Sequence, residues 1–340
     1  MIRVHSPRFR PLLRAGLTIL GPALLLYFIA AADRRLLLNT VRGANLGFVL
    51  AAVLLAVPFF ALKALRWQLV LRMWDIRLPY RLAVALVCIG QYIGTVTPGQ
   101  AGDAVRAWYL RERGYPLGVG LASVALDRGC DLVITLAVAA FSLALYRGIL
   151  PQQGLSLVAG SLSLLLVGLA LLLALGNQWL RAAIQRRLPA RLPRVLRTRI
   201  DALVDTSVYL TPRHLMLILL ASVAALSWTY GRIYLLFLAL GIPIQLGPLL
   251  IFVALLALVG PVTPGGVGTR DALLVVVLQT TLAVEQEQAI AQALAISMLI
   301  LLLNLVNVAL GYVYTLRYQL GRPNAELRDP TQELAGKTTG

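Results

Sequence analysis

Apolar positions in this chain fall in long continuous blocks, not in alternation. The blocks cover residues 15–32, 44–65, 81–97, 119–146, 155–176, 215–240, 248–262, 265–284 and 288–317. A helix needs about 20 apolar residues to cross hydrocarbon. Barrel strands would instead show alternating stretches of about ten residues. In hydrocarbon every backbone polar group must be satisfied within its own element, so the blocks are predicted to be α-helices. Two of them, 81–97 and 248–262, are short, and both run into the same peptide.

The first copy of that peptide is Val96-Thr97-Pro98-Gly99-Gln100-Ala101-Gly102-Asp103, and the second is Val262-Thr263-Pro264-Gly265-Gly266-Val267-Gly268-Thr269. The copies lie 166 residues apart, close to half the chain, and Arg66 and Arg232 fall at the same spacing. An internal duplication is the economical explanation. Proline removes a backbone donor and glycine frees the dihedrals, so each copy should break its helix. Such a break is tolerated at membrane depth only where protein or a water-filled cavity covers it.

Charge sets the expected orientation. Lys and Arg gather in loop 63–81, in stretch 100–118, in loop 177–199 and at both termini, so these are expected on the cytoplasmic side. With 63–81 and 100–118 on one side, run 81–97 should enter and return. Runs 248–262 and 265–284 should do the same from the outer face. The resulting fold is an all-α polytopic membrane protein with two inverted repeats, each of three transmembrane helices plus one re-entrant helical hairpin. The alternative has eight or more full spans. The expected divisions are a cytoplasmic N-terminus at 1–14 and a first repeat at 15–146 with its hairpin at 81–112. The second repeat follows at 147–317, with a basic cytoplasmic loop at 177–213 and a hairpin at 248–284, and then a disordered cytoplasmic tail at 318–340. Arg34, Arg35 and Arg42 fall in an expected outside loop, against the bias.

Composition agrees with a membrane solvent. Of 340 residues, 59% are hydrophobic and 13% charged, against about 25% charged in soluble domains. The net charge of +17 is nearly all arginine. Placed between apolar blocks, it suits anionic lipid surfaces rather than nucleic acid. Arg181–Arg199 in particular reads as an interfacial amphipathic helix on anionic lipid headgroups, or as a solvated basic loop. Cys88 and Cys130 lie in apolar stretches, and the isolated His5 and His214 give no zinc pattern, so neither metal nor cofactor is expected.

Charges within the spans are costly, on the order of 2.5–3.5 kcal/mol each. Asp127 and Asp131 stand four apart, on one helix face, with Arg128 between them. They form either an internal salt bridge with snorkelling or a polar cavity wall. Arg232 sits mid-span and should face the bundle interior, to grip a phosphate or to pair with Asp271 or Asp131. Arg66 lies nearer an interface, where snorkelling is expected. Each Thr-Pro-Gly break leaves free N–H groups and is followed by charges, Asp103 and Arg106 in one copy and Arg270 and Asp271 in the other. The candidate lipid-binding set is therefore Thr97, Pro98, Gly99, Gly102, Asp103, Arg106, Asp127, Arg128, Asp131, Arg232, Thr263, Pro264, Gly265, Gly266, Gly268, Arg270, Asp271 and Asn304. Asn304 forms a polar stripe with Asn307 and Ser297, for helix–helix bonding or cavity lining.

The paired T-P-G-x-x-G motifs, the half-length repeat and the basic central loop resemble the lysylphosphatidylglycerol synthase transmembrane family, over about residues 10–320. The stretch Gly260-Pro261-Val262-Thr263-Pro264-Gly265-Gly266-Val267-Gly268 is especially similar. The resemblance implies a flippase in a bacterial inner membrane with both termini cytoplasmic. It would carry an anionic phospholipid, or an aminoacylated or lipid-linked headgroup as in the multiple peptide resistance factor, or a lipid of polyprenyl-phosphate-sugar or hopanoid pathways. It also admits a lipid-synthesis enzyme as partner, and an oligomer. The chain departs from the family at Thr269-Arg270-Asp271, where an acidic residue often follows the motif. About 20 residues follow the last block, so no soluble aminoacyl-transferase activity is expected. A membrane enzyme acting on a lipid phosphate through Asp103, Asp127 and Asp131, or a scaffold for a synthesis enzyme, are the other functional classes the residues admit.

Overall fold

The computed structural model describes residues 34–145, 212–259, 268–282 and 285–318. Every regular element among them is helical. In chain order these are α1 (Arg34–Arg42), α2 (Leu46–Leu54), α3 (Ala56–Arg72), α4 (Tyr80–Val96), a 3₁₀ turn (Pro98–Ala104), α5 (Val105–Glu112) and α6 (Leu117–Leu145). After the undescribed stretch come α7 (Pro212–Ala239), α8 (Leu246–Val259), α9 (Thr269–Leu282) and α10 (Gln286–Arg317). Among the described residues three stretches are long and apolar enough to cross a membrane, namely Leu46–Arg72, Arg213–Ala239 and Gln286–Arg317. The expected features at 1–14, 15–32, 155–176, 177–213 and 318–340 lie almost wholly outside the described residues.

Local chemistry explains the breaks. Pro58 has no N–H for the Leu54 carbonyl, and the first span is interrupted at Leu55 into α2 and α3. Asn45 caps α2, its Oδ1 accepting from Gly47 N at 2.9 Å. Its own N–H donates to the Ala239 carbonyl at 2.7 Å, which ties α2 to the end of α7. After α4, Thr97 takes an extended conformation (φ −105°, ψ 138°) and the chain turns back. The return is so close that a Cβ on Gly102 would lie 2.4 Å from the Ile93 carbonyl carbon. Only a glycine fits there.

Two large clusters dominate the apolar interior among the described residues, with a smaller one joining α3, α6 and α7 around Val70, Cys130 and Ile218. One cluster joins α3, α4 and α5, with Trp67, Leu71, Leu86 and Ile89 fully buried. The other joins α7 to α10 with Ala52 of α2, around Phe237, Phe252 and Leu274. The two are stitched together crosswise. α4 packs on α10, α8 packs on α6, and α3 packs on α7. Tyr109 of α5 donates to the Tyr318 carbonyl at 2.6 Å and fixes the end of α10. Large apolar side chains also face outward, as in the stripe Leu46, Leu50, Leu54 and Val57 (59% to 77% exposed) and along α10 at Met298, Leu301, Leu305 and Val313. Surface of this kind belongs in hydrocarbon.

Three expectations are corrected. Residues 34–42 form a helix, not a loop. Lys63 and Arg66 lie within α3 and are buried, which removes two of the charges assigned to loop 63–81. Arg106 and Arg113 are buried as well, so the charge asymmetry that set the orientation is smaller than the sequence suggests.

Candidate functional site

Among the described residues two polar assemblies occupy the interior. The first is an ion network carried by α3, the 3₁₀ turn, α5 and α6. Asp127 and Asp131 do share a face of α6, and both meet Arg66. Arg66 Nε donates to Asp127 Oδ1 at 2.7 Å, and Arg66 Nη1 donates to Asp131 Oδ1. Asp127 Oδ2 also accepts from Arg106 Nη2 at 3.1 Å, and Lys63 Nζ lies 3.4 Å from Asp131 Oδ2. Asp103 is met by Arg128 and, at 3.5 Å, by Arg106, while Arg128 also lies 3.8 Å from Asp131. The Arg106 guanidinium stacks 4.9 Å from the Trp67 ring centre. Three carboxylates thus face four cations. Arg66 has no exposed surface. Snorkelling is therefore wrong for it, because the carboxylates of α6 give its charge an internal partner.

The second assembly is a cavity of about 250 Å³ between α3, α4 and the 3₁₀ turn on one side and α7 to α10 on the other. Its polar lining is Gln91, Thr95, Thr97, Gln100, Thr229, Arg232, Arg270, Asn304 and Asn307; its apolar lining includes Phe59, Leu226, Val253, Leu256, Ile300 and Leu303. Arg232, on α7, donates to the Ala52 carbonyl at 3.0 Å and to Asn307 Oδ1 at 3.4 Å, with its guanidinium 5.6 Å from the Phe59 ring centre. Among the described residues no carboxylate lies within 4 Å of it. The expected pairing of Arg232 with Asp271 or Asp131 is not found, since Asp131 serves α3 and Asp271 serves α9. Arg270 Nε donates to Ser297 Oγ at 3.1 Å and lies 3.6 Å from Asp271 Oδ1, while its Nη1 is buried without a hydrogen bond. Asp271 Oδ2 accepts from Gly268 N at 2.9 Å and caps the start of α9.

The first Thr-Pro-Gly break borders this cavity. Thr97 Oγ1 donates to the Ile93 carbonyl at 2.8 Å and accepts from Gly102 N at 2.8 Å, so one hydroxyl closes the turn. Gln100 lines the cavity from a left-handed backbone conformation (φ 54°), uncommon for a side-chain-bearing residue and held here by the turn. The glycine Gly266 stands 166 positions later.

Of the candidate residues, the cavity brings together Thr97, Arg232, Arg270 and Asn304. Gly102 N donates to Thr97 Oγ1 and Gly268 N to Asp271 Oδ2, and neither glycine lines the cavity. Asp103, Arg106, Asp127, Arg128 and Asp131 are gathered instead in the ion network, and Asp271 acts as a cap. Pro98 and Gly99 open the 3₁₀ turn. Thr263, Pro264, Gly265 and Gly266 lie outside the described residues. Sequence reasoning passed over Gln91, Thr95, Gln100 and Thr229. The spacing of Gln91 and Thr95, four apart in an apolar run, is the signal that places both on one helix face.

An all-helical bundle with lipid-facing apolar surfaces and a polar interior cavity is a multi-pass membrane protein. The chain belongs to the family described as the lysylphosphatidylglycerol synthase TM region, whose model matches residues 13–307. It is similar to a UPF0104 membrane protein of Methanothermobacter thermautotrophicus, 27% identical over 262 residues, covering 70% of this chain and 77% of that one. It is also similar to a glycosyltransferase, AglD, of Haloferax volcanii, 30% identical over 118 residues. That match spans 34% of this chain and only 18% of the larger relative.

Proposed function

We propose that the protein is a transporter that carries a phosphate-bearing lipid across the cell membrane through the cavity between its two halves. The observation that carries this reading is the convergence of Arg232 and Arg270 on one cavity with an otherwise neutral polar lining. A guanidinium is suited to phosphate because its donors form a planar fork. Apolar side chains beside it suit an acyl chain. A headgroup crosses bare hydrocarbon slowly because its charge must shed water, and a polar groove lowers that barrier.

An inverted repeat with re-entrant hairpins supplies the alternating access in this proposal. Support comes from the order of elements, since α3, α4, the turn with α5, and α6 are followed 166 positions on by α7, α8, α9 and α10. The crosswise packing of α4 on α10 and of α8 on α6 is what a two-fold relation between the halves would produce. Both termini are placed in the cytoplasm. The basic stretch Arg181–Arg199 is assigned to anionic headgroups at that surface. No covalent chemistry is assigned to the chain. The relative named as a glycosyltransferase favours one refinement, that the cargo is a sugar-bearing lipid.

The test is reconstitution in vesicles carrying fluorescent phosphatidylglycerol, phosphatidic acid or a polyprenyl phosphate, with outer-leaflet label bleached by dithionite. Acceleration of transbilayer movement by the protein, lost in Arg232→Gln, supports the proposal. No acceleration for any of the three overturns it.

A further inference from the structure

The sign of the charge in the cavity goes further than the transporter reading on which it rests. We infer that the cavity selects lipids whose phosphate leaves the headgroup net negative, and rejects lipids whose phosphate is outweighed by attached ammonium groups.

Two cations line the cavity, Arg232 with no carboxylate within 4 Å and Arg270 paired with Asp271, and among the described residues no carboxylate lines it. The remaining polar lining is amide and hydroxyl. A guest bearing ammonium groups would need an acceptor of opposite charge, because a buried unpaired cation is strongly disfavoured. Among the described residues each buried acid is already engaged. Asp103, Asp127 and Asp131 are held by Arg66, Arg106, Arg128 and Lys63. Asp271 is engaged by Gly268 N and Arg270. Arg270 Nη1, by contrast, is a buried donor with no hydrogen bond.

The comparison of the two halves sharpens the point. Arg66 is neutralised by Asp127 and Asp131. The residues 166 positions after those two are Ala293 and Ser297. The arginine is kept in the second half while both acids are replaced by small residues. One of these, Ser297, accepts a hydrogen bond from Arg270. Arg66 thus has carboxylates against it, whereas Arg232 has none within 4 Å among the described residues and is left for a guest to pair.

The test uses purified full-length protein in detergent, mixed with equal amounts of phosphatidylglycerol, zwitterionic phosphatidylethanolamine and cationic lysyl-phosphatidylglycerol, with bound lipid counted by native mass spectrometry. The expected result is a preference of about tenfold or more for phosphatidylglycerol over the lysyl lipid. That preference should fall toward unity in the Arg232→Gln/Arg270→Gln double variant and shift toward the lysyl lipid in Arg232→Glu, with circular dichroism and the unfolding temperature confirming each fold. Equal or tighter binding of the lysyl lipid, no lipid bound, or a preference that survives the double variant, would overturn the inference. A competition arm uses inorganic phosphate and glycerol phosphate. Displacement of lipid by either at comparable concentration assigns the anion site to free phosphate and overturns the lipid assignment. Intact charge selection without transbilayer movement in vesicles would sink the transporter reading and leave the charge selection standing.

Discussion

Arg66 and Asp127, 61 residues apart and on different helices, meet at 2.7 Å with neither side chain more than 3% exposed. The contact locks α3 to α6, and the same carboxylate reaches on to Arg106. Removing one member of a buried pair strands the other, which costs about 3–5 kcal/mol, whereas replacing both by apolar residues is often neutral. Asp127→Asn is therefore expected to destabilise the protein by about that amount, seen as a lowered unfolding temperature in detergent. Arg66→Met/Asp127→Leu should recover part of the loss. A single variant as stable as wild type would show that the network adds nothing to the fold.

Arg232 obeys the opposite rule, because among the described residues it has no carboxylate to strand. Arg232→Gln keeps a donor for the Ala52 carbonyl and removes a buried cation. The unfolding temperature should stay level or rise. Transport should fall by about tenfold or more, the loss of one charge-assisted phosphate contact of about 1.5–3 kcal/mol. Vesicle rates and thermal unfolding on the same preparation separate the two effects.

Two glycines give a matched steric test. A Cβ on Gly311 would sit 2.4 Å from the Cys88 carbonyl oxygen and from Tyr92 Cβ, where α10 crosses α4. Small residues are what allow helices to approach this closely. Gly311→Ala should force the helices apart at a cost of about 1–3 kcal/mol. Gly231→Ala meets nothing within 4 Å and should leave stability unchanged or slightly higher. Thermal unfolding of the pair, side by side, is the measurement.

The Thr97 hydroxyl closes the turn after α4 by accepting from Gly102 N. Thr97→Val keeps the shape and loses the oxygen, with an expected cost of about 1 kcal/mol, as for a lost helix cap. Thr97→Ser should retain most of it. Hydrogen exchange at the Gly102 amide reports the turn directly, and equal protection in all three proteins would refute this role.

Block length and continuity made the helices legible, and the Thr-Pro-Gly peptide marked the break at Thr97 to the residue. Arg232 and Arg270 were legible as interior cations because a charge in a long apolar run has few other places to go. Their partners were not. The choice of Asp131 between Arg66 and Arg232 depends on how α6 packs against α3, and a contact spanning 65 residues leaves no periodic trace in one chain. The burial of Lys63 and Arg66 was hidden for the same reason. Both stand late in an apolar block, where a water-facing loop and a buried helix end have similar local composition.

The proline at position 58 has a mechanical corollary. What would be one 27-residue rod is jointed at Leu55. Ala52, whose carbonyl tethers Arg232, belongs to one segment, and Phe59, whose ring faces the same guanidinium, belongs to the other. Any bending at that joint moves the tether and the ring independently. The freedom of the cavity's cation is thus governed by the elbow of a neighbouring helix.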